Sequence, residues 1–186
     1  MAAVFLLPGA FNKQFECGKE DSTIAGMVGS GPMMGKMALS RPHLYLGYKN
    51  SRDKSNVGIH EFVHLLDMAD GRCDGALESL NEFESTAIST SLWFDFIAYK
   101  INEIDRGESN IGRYGASNQQ EFFAVASEYF FERPKMLKQK HPQLFKTLTR
   151  FYQQDVLGIE KDIKIRGKAP CPCGSGKRYK RCCMPK

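Results

Sequence analysis

His60 and His64 stand four residues apart with Glu61 between them, in the stretch His60-Glu61-Phe62-Val63-His64. The surrounding run, Val57 to Leu66, is apolar enough to predict a buried helix. On a helix, positions i and i+4 lie one turn apart on the same face. Two imidazoles held that way can share one tetrahedral Zn²⁺, with the glutamate about 100° around the helix, beside a water rather than the metal. That is the geometry of metal-assisted hydrolysis, with Glu61 as general base and later proton donor. Without a metal the two histidines would be costly to bury unpaired.

A catalytic zinc takes three protein ligands and leaves one position open. Asp70 is six residues after His64, but a ligand at that spacing needs a glycine three residues after the second histidine, and this chain has Asp67 there. Asp67 shares the face of His60 and is expected as a partner to an imidazole N–H. Glu121 and Glu128 remain, seven apart on one face of the otherwise apolar stretch Glu121 to Phe131. A carboxylate on so apolar a face requires a partner. Spacing alone does not separate the two.

A second cysteine-based pattern closes the chain. Cys171-Pro-Cys173 and Cys182-Cys183 form C-x-C-x₈-C-C, with Gly174-Ser175-Gly176 inside it. Four thiolates so close can fill a Cys₄ zinc site, which leaves no room for substrate and is therefore structural. Cys17 and Cys73 stand apart, so the clustering favours metal over a disulfide framework. Lys161 to Lys186 carries nine Lys/Arg and one acid, +8, against 17 basic and 20 acidic residues, −3, in the rest. Lys177, Arg178, Lys180, Arg181 and Lys186 would suit a ribosome, an acidic protein surface or nucleic acid.

These residues must be positioned by a chain of 186 residues, 42% hydrophobic and 25% charged, enough for one core and a small appendage. No run reaches the ~18 apolar residues of a membrane span. Ala2 to Leu7 reads as a strand or core segment rather than a leader, since no basic segment precedes it, and a cytoplasmic protein is expected. Residues 17 to 37 read as a glycine-punctuated loop. Lys36 to Tyr48 reads as extended, with Pro42 confining a strand to an edge or splitting it in two; a peptide could join such an edge by strand addition. Ser55 or Asn56 caps the pentad helix, and Gly71 stops it. Ala76 to Arg106 predicts a long helix whose apolar stripe is core. Ser117 caps a helix from Asn118 to Glu132, with Gln120 completing a capping box. Two short helices follow, broken at His141-Pro142, and Gly158 to Ala169 reads as a linker.

Several of these motifs together resemble a known family. His60 to Asp67 followed by Asp-Gly, Tyr114-Gly115-Ala116, Glu121 to Phe131, and Phe151 to Asp155 are similar, in that order, to the Mlc titration factor A (MtfA) zinc peptidases. The resemblance runs from about Gly29 to Asp155. It implies a gluzincin-like metallopeptidase, with aminopeptidase activity and a regulatory role among the expectations. It implies His60, His64 and Glu121 as zinc ligands, Glu61 as base, Tyr114 near the metal as oxyanion donor, and Glu128 beside the ligands. Family members carry a longer helical N-terminal part, and Asn118-Gln119-Gln120 replaces a proline-containing stretch. The resemblance by itself does not decide contact with an Mlc-type repressor. The tail, Ala169 to Cys183, resembles the SEC-C motif, which implies protein contacts.

The expected architecture is α+β, predominantly helical: a zincin domain over 1–157 with a short edge strand or sheet near the N-terminus, a linker over 158–168, and a zinc knuckle over 169–186. The expected cofactors are two Zn²⁺, one catalytic and one structural. The expected substrate is a peptide or protein. Two other readings fit the same residues: a zincin-like regulatory binding factor, and a ribosome- or nucleic-acid-associated factor acting through the basic tail.

Overall fold

The computed structural model describes residues 3–29, 33–50, 53–76, 90–158, 167–170 and 176–182. The fold is α+β and predominantly helical. Strands β1 (Ala3–Leu7), β2 (Gly26–Val28) and β3 (Lys36–Ser40) form one sheet in the order β1-β3-β2. β1 runs parallel to β3, and β2 antiparallel, with Gly26 opposite Leu39 and Val28 opposite Met37. Met37, Ala38, Leu39 and Ser40 are all buried, as befits a central strand.

The extended reading of Lys36 to Tyr48 holds only as far as Ser40. Arg41–Lys49 is a helix, α1, with Pro42 in its first turn. Proline's fixed φ and missing N–H suit that position as well as they suit an edge strand. Gly47 sits where a Cβ would lie 3.2 Å from the Cα of Asn56, so α1 packs tightly against the entry to the next helix. The strand is also not an edge. The edge facing the pentad helix belongs to β2, within the stretch expected to be loop.

Helix α2 (Val57–Asp67) carries the pentad. Asn56, not Ser55, caps it: its Oδ1 accepts from the N–H groups of Gly58 and Ile59 at 3.1 and 3.2 Å. A 3₁₀ turn, Met68–Asp70, and Gly71 at φ 92° end it. α3 (Thr90–Asp105) covers the second part of the long helix expected from Ala76; residues 77–89 lie outside the described residues.

α4 (Gln119–Glu132) is the centre of the molecule. From Phe122 to Phe130 every residue is buried, so the helix is enclosed on all sides. Trp93 and Ile97 of α3, Val63 of α2, and residues of α5 (Pro134–Lys140) and α6 (Pro142–Tyr152), namely Leu137, Leu144 and Leu148, pack around it. Tyr152 of α6 donates to Ser127 Oγ at 2.7 Å, and Ser127 donates to the Phe123 carbonyl at 2.7 Å. α5 and α6 meet at His141-Pro142, as the sequence predicts. The cap of α4 is displaced by one residue from expectation: Asn118 Oδ1, rather than Ser117, accepts the Glu121 N–H at 2.9 Å. Among the described residues no helix is long and apolar enough to cross a membrane.

Candidate metal centre

The central position of α4 matters because two of its carboxylates turn toward α2. His60 Nε2 lies 3.0 Å from Glu121 Oε2 and 3.2 Å from His64 Nε2, and His64 Nε2 lies 3.7 Å from Glu121 Oε2. Donors around a tetrahedral zinc with bonds of about 2.0–2.1 Å stand about 3.3 Å apart. The three atoms therefore fit that ion. Glu121 is the third residue of α4, a position whose side chain often folds back onto the cap. Here it points across to the histidines, and Gln120 donates instead to the carbonyl of Cys73.

Glu128, two turns on, holds His60 from behind. Its Oε1 is 2.8 Å from His60 Nδ1, and its Oε2 accepts the backbone N–H of Asn56. Glu128 is buried. A carboxylate on Nδ1 fixes the tautomer that leaves Nε2 as the donor to a metal. Burial lowers the His60 pKa, but Glu121 and Glu128 outweigh it and raise it to about 10. Burial likewise raises Glu121, and the two imidazoles overcome it, lowering it to about 2. The cluster is thus held by charge as well as by packing.

Asp67 does not take the part expected of it. Both its oxygens accept the Gly75 N–H, at 3.0 and 2.9 Å, and the Cys73 thiol bonds to it. Burial raises its pKa against those bonds. Its neighbour on the helix is His64, whose Nδ1 is buried and has no hydrogen-bond partner among the described residues. The histidine–carboxylate contact in this layer is made by Glu128.

Glu61 packs under β2, close enough to His60, His64 and Glu121 to feel their charges. It is 7% exposed, and burial raises its pKa against the pull of His60 and His64. The Val28 backbone hydrogen-bonds to it. Gly26 lies directly over it: a Cβ there would sit 2.5 Å from Val57 Cγ2 and 2.7 Å from Glu61 Cγ. Sequence reasoning missed Gly26, which reads as one more loop glycine. Its signal is the close approach of a strand to the pentad helix.

Tyr114 occupies a 3₁₀ turn, Arg113–Ala116, set against α4 by Gly115, which packs on Val125. Its ring centre is 5.8 Å from that of His60, and its hydroxyl bonds to Glu121. Partial burial and then the Glu121 charge raise its pKa. It is 60% exposed, so the hydroxyl is accessible from outside the cluster. Of the tail cysteines, Cys171, Cys173 and Cys183 lie outside the described residues, and Cys182 is exposed. The flanking segments meet in an antiparallel bridge, Pro170 to Arg178, with the Tyr179 N–H donating to the Ala169 carbonyl at 2.9 Å.

Comparison with known proteins bears on the same residues. The family described as glucose-regulated metallo-peptidase M90 matches residues 1–153, and the SEC-C motif matches residues 168–185. An uncharacterized protein of Synechocystis is 33% identical over 141 residues, covering 72% of this chain and 48% of the relative. A Serratia proteamaculans protein named Mlc titration factor A is 27% identical over 155 residues, covering 79% of this chain and 59% of the relative. Its namesake from an Escherichia coli strain is 35% identical over 117 residues, covering 61% and 44%. The chain thus spans about half the length of the curated relatives it matches.

Proposed function

From the premise that the chain belongs to the glucose-regulated metallo-peptidase M90 family, we propose that it is a zinc-dependent peptidase of the cytoplasm. The observation that carries this reading is the convergence of His60, His64 and Glu121 at tetrahedral donor spacing, with Glu61 alongside. His60, His64 and Glu121 would hold the ion, and Glu128 would orient His60. Bound zinc would supply a Lewis acid for a peptide carbonyl and bring the pKa of a water to about 7. Glu61, buried and raised in pKa, is suited to take a proton from that water and return it to the leaving amine. Tyr114 would donate its hydroxyl proton to the developing oxyanion. A peptide paired along β2 would pass its backbone beside Glu61. Cys171, Cys173, Cys182 and Cys183 would hold a second, structural zinc, and the cations around them would contact a chaperone, a ribosome, an acidic surface or nucleic acid.

Glu61→Gln tests the mechanism: zinc is retained and peptide hydrolysis is lost. Hydrolysis that survives the substitution overturns it. Aminopeptidase activity is tested by comparing free and N-acetylated peptides. Two zinc ions per full chain support both sites.

A second reading is favoured by two relatives being named for titrating Mlc: the same fold binds a regulatory protein with little hydrolysis. It predicts partner binding that is indifferent to Glu61→Gln in a protein that cleaves no peptide.

A further inference from the structure

A cavity of about 410 Å³ is lined in part by residues that adjoin the candidate metal centre along the chain. Three of its walls continue directly into site residues. Ala116 ends the turn that carries Tyr114, Gln120 precedes Glu121, and Asp74 follows Cys73, whose Sγ lies within 4.8 Å of donor atoms of His64 and Asp67. Asp74 is the only charged residue among the described residues that line it. Its Oδ1 accepts the Ala76 N–H at 2.9 Å. Ile101 and Ala116 supply an aliphatic wall, and Ser117, Asn118 and Gln119 supply uncharged polar groups.

The loop that presents Asp74 is held on three sides. Asp67 takes the Gly75 N–H, Trp93 Nε1 donates to the Gly75 carbonyl at 2.7 Å, and the Gln120 side chain donates to the Cys73 carbonyl. Gly75, at φ 75°, lies so close to α4 that a Cβ would meet the Gln119 carbonyl oxygen at 2.7 Å. A carboxylate fixed by such a frame is preorganised for a ligand. The N-terminal end of α4 brings about half a positive charge to the cavity, which Asp74 more than balances.

We propose that this cavity is a subsite for a cationic group of the peptide substrate, with Asp74 as its counter-ion. The group is an ammonium or guanidinium, and an aliphatic stem packs along Ile101 and Ala116. It comes from a Lys or Arg side chain or from the free α-amine. The proposal rests on the peptidase reading for its substrate, though the cavity exists independently of it.

The test uses the zinc-loaded full chain and one peptide in four forms: arginine or its neutral isostere citrulline at a chosen position, each free or N-acetylated. The position is scanned along the peptide. Arginine is expected to exceed citrulline about tenfold in kcat/KM at one position, the scale of a charge-assisted hydrogen bond. Asp74→Asn keeps the acceptor for the Ala76 N–H and is expected to bring the ratio below about twofold, with zinc content unchanged. If acetylation rather than citrulline produces the Asp74-dependent loss, the α-amine is the occupant. Selectivity in Asp74→Asn equal to that of wild type overturns the proposal, as does indifference to both changes. Calorimetric binding of the same peptides to Glu61→Gln separates the two levels. Asp74-dependent binding without hydrolysis in wild type leaves the subsite standing and the peptidase reading refuted.

Discussion

Replacing Glu128 by alanine tests how the site is built. Glu128 satisfies two buried donors at once, His60 Nδ1 at 2.8 Å and the backbone N–H of Asn56. Deleting it removes the group that holds the His60 ring, which on the proposed reading is a ligand. Loss of such a partner costs roughly 10–100-fold in metal affinity, or about 1.4–2.7 kcal/mol. It also strands the Asn56 N–H at the start of α2, for about 1–3 kcal/mol of stability in the metal-free protein. Glu128→Gln keeps the volume but offers one acceptor oxygen for two donors, so it falls between the two. Zinc competition against a chromophoric chelator measures the affinity, and urea unfolding of metal-free protein measures the stability. Zinc binding within twofold of wild type in Glu128→Ala refutes the assignment. Complete loss of the ion in Glu128→Ala, with Glu121→Ala retaining it, shows that the two glutamates have exchanged roles.

Gly26→Ala is expected to push β2 away from Glu61, lowering hydrolysis at least tenfold with zinc retained and costing about 1–3 kcal/mol by overpacking; activity, zinc content and unfolding are read together. Asn118→Ala removes the cap that fixes the Glu121 N–H and is expected to cost about 1 kcal/mol and to weaken zinc binding, seen by the same chelator competition. Glu132, one turn beyond Glu128 on α4, supplies a pH dependence of its own. Burial raises its pKa to about 7 against the N–H groups of Lys54 and Ser55 and the Asn56 side chain. The fold therefore favours its protonated form, and the stability this contributes is full below about pH 4.5 and lost as pH rises through about 7. Metal-free Glu132→Gln is expected to gain about 2–3 kcal/mol on wild type between pH 5 and pH 8, measured by urea unfolding at both.

The pentad helix and its histidine pair were legible because apolar periodicity and two histidines at i, i+4 coincide. Glu121 and Glu128 of α4 were legible as a set. Their division of labour was not: residues seven apart lie on one face, and which meets Nε2 and which Nδ1 depends on where α2 crosses α4. Family resemblance pointed to Glu121 and Tyr114, and the geometry brings both to His60. His43 to Tyr48 misled because its alternation also fits a helix whose exposed face carries Tyr45, Leu46 and Tyr48. Gly26 was silent because a contact between a strand and a distant helix leaves no local pattern.

Because α4 is at once the innermost helix and the bearer of Glu121, a metal held there would be coupled to the core. An ion held by a surface loop would stabilise that loop alone. Here occupancy is linked to global unfolding: zinc at a hundred times its Kd would add about 2.7 kcal/mol to the whole domain. Chelation should accordingly shorten the protein's lifetime against proteases throughout its length. The amount of this protein in a cell would then track available zinc, whatever happens to its synthesis.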